Sequence, residues 1–360
     1  MIGLLHPQII FSDIGLNANN LLEFSTGEVL FTEGLPSETG GGQSPYPPAL
    51  YVLAAPLQLL FEPSGEGRLL LLKVLVAALD SAVAWLIWFV LRRHSAAALF
   101  AAALYLVPAA PLRSFGVGEF ANLAGQSLAL PLLAALSLLG GRMREPRVFC
   151  LLLLLLMLAL LGHAGVTISV ILLLGCLGLC WMIVPRTRRL VPALLALGGL
   201  AALLVGLFYH SAFAHLLMPP DEVSAALPGL GVGQKLINEL SRVFLPPRPT
   251  ISPLLALLAA AGFVLMARAH PVRGAPGLWL IIVAWLGSAL LSIGVLAVRD
   301  QTVRWDLFLY PALCIAAGPL LAALWARGLA GKLGAGLALA AILVQGLWFW
   351  GWLVFSQYHG

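Results

Sequence analysis

Charge is scarce in this chain, and one sign of it is missing from the start. Only 10% of the 360 residues are Asp, Glu, Lys or Arg, far below the share in soluble globular domains. No lysine or arginine precedes Arg68, whereas Asp13, Glu23, Glu28, Glu33, Glu38, Glu62 and Glu66 all lie before it. Cytoplasmic flanks of membrane proteins collect Lys and Arg, so a long polar head without them belongs on the far side of a bilayer. Cys150, Cys176, Cys180 and Cys314 all fall within apolar runs. There they act as small hydrophobes, with no spacing for a disulfide framework or a metal. The sequence has no low-complexity tail and no tandem short repeat. Met1 to Phe11 lacks the basic start and long apolar core of a secretory signal. Gly40, Gly41, Gly42 and Ser44 lack the Lys-Ser/Thr and the strand-loop-helix setting of a phosphate-cradling loop, which excludes a nucleotide site.

What is present is hydrocarbon. The chain is 61% hydrophobic with a mean hydropathy of +0.99, which predicts an all-α, polytopic integral membrane protein. Apolar runs near spanning length predict about ten helices: Leu69 to Leu91, Ser95 to Leu112, Ala121 to Leu139, Val148 to Leu161, Gly165 to Val184, Leu190 to Phe208, Ile251 to Met266, Leu278 to Ala297, Leu307 to Trp325 and Leu333 to Val354. With the head outside, Arg92 and Arg93, then Arg142, Arg144 and Arg147, then Arg186, Arg188 and Arg189, then Arg268 and Arg273, then Arg327 and Lys332 all fall in cytoplasmic loops. The net charge of +5 therefore reports topology and does not argue for nucleic acid. Pro47 to Phe61 is short for a crossing and is expected to be re-entrant or interfacial, the alternative being that it crosses and one later segment is misread. Residues 1–360 form one membrane domain. Its two long extracytoplasmic segments are the acidic head, 1–46, and residues 210–250, where Leu236 to Phe244 suits an amphipathic helix on the surface.

Several residues could do chemistry. If a helix starts near Asp13, then Asp13, Asn17 and Asn20 share one polar face. A carboxylate there, ionised above about pH 3.9, can accept a proton from a hydroxyl or can cap the helix. Glu119 lies at the outer end of a span among glycines, either as a second acid or as a helix-start charge suited to the dipole. Arg304 can hold a phosphate, pair with Asp300 or Asp306, or snorkel, and pairing is the default. His163, at the tip of a tight hairpin, can bind substrate or cap the turn, the second being the safer assignment. Lys73 and Asp80 are intramembrane charges on one face. Lys73 is near enough to the outer end to snorkel, so only Asp80 stays unexplained.

The acidic head with Asp13, Tyr46-Pro47-Pro48 at the first apolar stretch, Glu119 in the next outer loop, and Arg304-Trp305 together resemble the polyprenyl-phosphate-sugar-dependent glycosyltransferases of the GT-C superfamily. Within it, the chain is similar to bacterial relatives of protein O-mannosyltransferases and lipid A aminoarabinose transferases. The resemblance implies inverting transfer of one sugar from a polyprenyl phosphate donor to a hydroxyl on a lipid, glycan or protein acceptor. The implied place is the outer face of a bacterial-type cytoplasmic membrane, among membrane lipids and with no nucleic acid. It implies Asp13 as general base, Glu119 as a second acid orienting acceptor or donor, and Arg304 as the cation facing the leaving phosphate. Tyr46, with Asn17 and His163, would line the site. No cofactor follows from it, although a divalent metal is compatible with it. Family members usually carry a full helix before the acidic loop and often paired acids in it. Met1 to Phe11 is too short for that helix and Asp13 stands alone, so a misassigned gene start or a truncated chain is expected. The alternatives are a polymerase or ligase of lipid-linked polysaccharide, a flippase or transporter, and a noncatalytic membrane subunit. Transporters line their paths with midplane polar groups, and beyond Asp80 this chain has few.

Overall fold

The computed structural model describes residues 14–27, 31–33, 43–45, 47–209, 231–245, 247–269, 278–299 and 304–358. Asp13, Tyr46 and Asp300 lie outside the described residues. Helix α1 spans Ile14–Thr26, and a short antiparallel pair, β1 (Phe31–Glu33) and β2 (Gln43–Pro45), follows. Helix α2 (Ala49–Ala54) runs on into a 3-10 turn, Ala55–Leu60. Then come α3 (Gly65–Leu91), α4 (Ser95–Leu104), α5 (Ala109–Val117), α6 (Phe120–Leu139), α7 (Pro146–Leu160), α8 (Ala164–Ile183) and α9 (Val191–Phe208). The chain ends with α10 (Val232–Phe244), α11 (Pro253–Ala269), α12 (Leu278–Arg299), α13 (Trp305–Trp325) and α14 (Leu329–Tyr358). Among the described residues eight helical segments are long and apolar enough to cross a membrane, and α7 and α11 are shorter apolar helices in the places of the other two expected spans. The protein is an all-α polytopic membrane protein.

Helix α13 is the centre of the bundle. Every residue from Trp305 to Gly318 is buried. Lipid tails are as apolar as leucine, so helices in a membrane are held by close packing, which small residues permit. Three glycines do this here. A Cβ on Gly262 of α11 would lie 2.0 Å from the Ala316 carbonyl oxygen, and one on Gly318 would lie 2.5 Å from that of Ala97 in α4. One on Gly346 of α14 would lie 2.1 Å from the Val107 carbonyl oxygen.

The run Ser95 to Leu112, expected as one helix, is broken. Pro108 cannot donate to the helix ladder and disfavours the helical conformation at Val107, so α4 stops at Leu104 and α5 restarts at Ala109. The break is tied to α3 and α6: the Tyr105 hydroxyl donates to Asp80 Oδ1 at 2.8 Å, and Gln126 Nε2 donates to the Tyr105 oxygen at 3.2 Å. Asp80 thus has a partner. Lys73 does not snorkel, because α1 and α2 pack over the outer half of α3 and leave its side chain fully buried.

Residues 47–61 enter and leave at the same end of the bundle. The Ala49 N–H donates to the Leu161 carbonyl at 3.1 Å, the Gln58 amide reaches Ser25 of α1, and α3 begins directly afterwards. Substituting Gly262 by Ala is expected to destabilise the protein by about 1–3 kcal/mol, since the added carbon meets backbone that cannot step aside. Gly198→Ala in α9, where a Cβ meets nothing within 4 Å, should change stability by less than about 1 kcal/mol. Thermal unfolding of both variants in detergent checks the contrast.

A candidate active site where α6, α8 and α13 begin

Three turns at one end of the bundle converge. Helix α5 ends at Gly118, whose φ of +88° is the left-handed conformation that glycine adopts without a Cβ penalty. The chain then turns through Glu119 into α6. The Ser114 hydroxyl donates to Glu119 Oε2 at 3.0 Å. Arg304, immediately before α13, donates to the same oxygen through Nε at 3.1 Å and to Oε1 through Nη2. Two parallel contacts of this kind fix both side chains. The pair joins residues 185 apart in sequence, so among the described residues Arg304 takes Glu119 as its ion-pair partner and not Asp306. Burial opposes the charge on Arg304, but Glu119, together with Asp306 and Glu239, outweighs it and holds the pKa above the ordinary value. The Arg304 side chain stays 26% exposed, against 10% for Glu119. That leaves the cation the more accessible member.

His163 lies in the turn between α7 and α8. Glycine makes the position possible: Gly125 of α6 and Gly162 approach so closely that a Cβ on Gly162 would lie 2.6 Å from the Gly125 Cα. His163 Nδ1 accepts from the Gly165 N–H at 3.1 Å and so caps α8. Burial, followed by the charge of Arg304, pushes its pKa down to about 4. The imidazole is therefore neutral at physiological pH, with its proton on Nε2.

Asn17 and Asn20 both face inward. Asn17 Nδ2 donates to the Gly118 carbonyl at 3.0 Å, and the Tyr51 hydroxyl donates to Asn17 Oδ1 at 2.9 Å. Asn20 Nδ2 donates to the Tyr51 oxygen at 3.2 Å. The side chain of Asn17 is thus engaged in tying α1 and α2 to the backbone beside Glu119.

A second network, not foreseen from sequence, clamps α10 over the start of α13. Trp305 Nε1 donates to Glu239 Oε1 at 2.9 Å, and Arg242 binds both oxygens of Glu239. Arg242 Nη1 also lies 3.5 Å from Asp306 Oδ2, which accepts from the Thr250 hydroxyl at 2.7 Å. Burial and the charge of Asp306 push the Glu239 carboxyl above the ordinary range, against the Trp305 hydrogen bond and the charges of Arg304 and Arg113. The i, i+3 spacing of Glu239 and Arg242 within an amphipathic helix was legible in the sequence; the reach to Trp305, Asp306 and Thr250 was not. Among the described residues no three His, Cys, Asp or Glu side chains gather to hold a metal. Glu119, already engaged by Arg304 and Ser114, does not make such a site by itself.

No family pattern matches the chain, and no characterised protein matches it in sequence. Solved structures do match it in fold. The oligosaccharyltransferase of Archaeoglobus fulgidus, a GT-C family member, tethered with an acceptor peptide containing the NVT sequon, superposes with a TM-score of 0.57 at 14% identity. That match covers 97% of this chain and 51% of the other. The same archaeal enzyme in complex with an inhibitory peptide and a dolichol-phosphate gives 0.57 at 12% identity, and its apo form gives 0.52 at 12%; each match covers 97% of this chain and 52% of the other. The fold is GT-C-like, and the chain spans about half the length of these neighbours.

An unfolded histidine binds its proton near pH 6.5, so lowering the pH favours the unfolded state once native His163 resists protonation. The contribution of His163 to stability is therefore complete above about pH 6.5 and is lost progressively as the pH falls towards 4. Unfolding at pH 7 and at pH 5 should differ less in His163→Asn, which keeps a capping oxygen but no titrating group, than in the native protein.

Proposed function

We propose that this chain is a membrane glycosyltransferase that moves one sugar from a polyprenyl phosphate carrier to an acceptor hydroxyl at the extracytoplasmic face, with inversion. The observation that carries the reading is the Glu119–Arg304 pair. Two residues singled out for this chemistry, far apart in sequence, meet beside His163 at one end of a GT-C-like bundle. The archaeal neighbours support lipid-linked donors as a class, since one of them was solved with a dolichol-phosphate. The connections at the opposite end hold Arg92, Arg93, Arg142, Arg144, Arg147, Arg186, Arg188 and Arg189. By the positive-inside rule that end is cytoplasmic and the site faces out. In this reading residues 1–46 and 210–250 are the two long extracytoplasmic segments.

In this reading Asp13 accepts the proton of the acceptor hydroxyl as its oxygen attacks the anomeric carbon. The bond to the phosphate oxygen breaks on the opposite face, and the phosphate leaves with the electron pair. Arg304 offsets the negative charge that grows there, an effect strongest in a site fixed beforehand. Glu119 holds Arg304 in place and keeps acceptor capacity on Oε1 for a sugar hydroxyl. In the same reading neutral His163 and Tyr46 line the site.

Sugar transfer from a polyprenyl phosphate donor by the purified protein in lipid nanodiscs is the test. Asp13→Asn is expected to lower turnover by about 10²–10⁴-fold, the usual loss for a general base, and Glu119→Gln should lower it by a smaller factor. Unchanged turnover in Asp13→Asn would remove the proposed base. A topology map placing Glu119 in the cytoplasm, or a folded native chain inert towards several donors, would sink the transferase reading and favour a noncatalytic subunit.

A further inference from the structure

Arg304 and Arg242 hold carboxylates in close ion pairs; the charge of Arg113 reaches Glu239, but among the described residues Arg113 closes no ion pair, and its Nη1 is buried without a hydrogen-bond acceptor. The indole N–H of Trp350, on α14, is in the same condition. The two belong to one seam. Gly346 meets Val107, and Gly116 meets Leu353, where a Cβ would lie 2.9 Å from Leu353 Cδ2. These contacts make α5 and α14 run parallel. Arg113 and Trp350 each sit three residues before a member of the upper contact, one helical turn down and facing the same seam. Beside the seam, on another face of α14, the Arg248 guanidinium stacks on the Trp352 ring, 3.5 Å from the centroid. Ser114, next to Arg113, is the residue that hydrogen-bonds Glu119, so the seam adjoins the candidate site.

We infer that the α5–α14 seam binds the phosphate of a membrane lipid, with Arg113 and Trp350 as its donors. Both groups can only donate, and a buried donor without an acceptor costs about 1–3 kcal/mol, so the ligand must bring acceptor oxygens. The charge of the Arg113 guanidinium selects a negative one, and phosphate suits the planar fork of arginine. The lipid character follows from the helix: α14 is long and apolar enough to cross a membrane, and its opposite face carries Trp348 and Phe355, 71% and 68% exposed, so the seam is bordered by lipid. Only the identity of the lipid as the sugar carrier rests on the proposed transferase; the anion site does not.

The test is binding to the full chain in nanodiscs of zwitterionic lipid, read by native mass spectrometry. Its arms are a polyprenyl phosphate, phosphatidylglycerol and inorganic phosphate. Arg113→Gln should weaken lipid phosphate binding about tenfold or more, as charge-assisted hydrogen bonds require. Trp350→Phe, which removes only the N–H, should weaken it less, and Arg93→Gln at the opposite end should leave it unchanged. A response in either lipid arm upholds the site and identifies its lipid. Inorganic phosphate bound as tightly as the lipids would overturn it as a lipid site, and lipid binding unaltered in Arg113→Gln would overturn it outright. If Arg113→Gln does not fold, Arg113→Lys with Trp350→Phe reads the same contacts. Absent sugar transfer with Arg113-dependent binding retained would defeat the transferase alone; normal transfer with binding indifferent to Arg113 would defeat this site alone.

Discussion

Backbone-to-backbone contact around α13 is the constraint on which the remainder depends. In hydrocarbon no solvent drives one apolar helix against another, so a helix reaches the middle of the bundle only if its neighbours can touch it closely. Gly262 and Gly318 give α11 and α4 that access, and Gly346 gives α14 the same access to the α4–α5 break. Once α13 is central, its first turn becomes the point where α6, α10 and α11 all arrive. Arg304, Trp305 and Asp306 are met there by Glu119, Glu239 and Thr250 respectively. The polar junction is thus a product of apolar packing.

The charges at that junction differ in kind from those at the other end. Arg142 and Glu145 form a close pair whose side chains are 62% and 50% exposed. Water and salt screen such a pair to at most about 1 kcal/mol. Glu119 and Arg304 are far less exposed, and removing either partner would leave a charge poorly solvated, at a cost of up to about 3–5 kcal/mol if it were fully buried. Coulomb attraction must exceed desolvation for such a pair to persist. Two-point geometry and the added Ser114 hydrogen bond supply that excess.

The spans were legible because run length against bilayer thickness is a one-dimensional property. Leu278 to Ala297 and Leu307 to Trp325, read from hydropathy alone, fall within a residue or two of α12 and α13. The interruption at Pro108 was written in the sequence too, yet hydropathy is blind to it because Tyr105, Leu106 and Val107 are apolar. The partner of Arg304 was not legible, since two acids lay near it in the chain and the chosen one lay 185 residues away. Lys73 was misplaced for a related reason. Its depth in α3 suggested an escape to the surface, and only the packing of α1 and α2 over that helix closes the route. Gly125 and Gly162 looked unremarkable in sequence, although their contact brings His163 to Arg304.

Helices α7 and α11 carry a geometric consequence. With 15 and 17 residues they are about 22 and 25 Å long at 1.5 Å per residue, against a hydrocarbon layer about 30 Å thick. Exposed Arg147 and Arg268 hold one end of each at the headgroups on the far side. The shortfall therefore falls where these helices meet the His163 turn and Thr250, and a bilayer adapts to such a shortfall by thinning. A local thinning of about 5 Å on these lengths would bring the lipid headgroups down towards the polar junction without any movement of the protein.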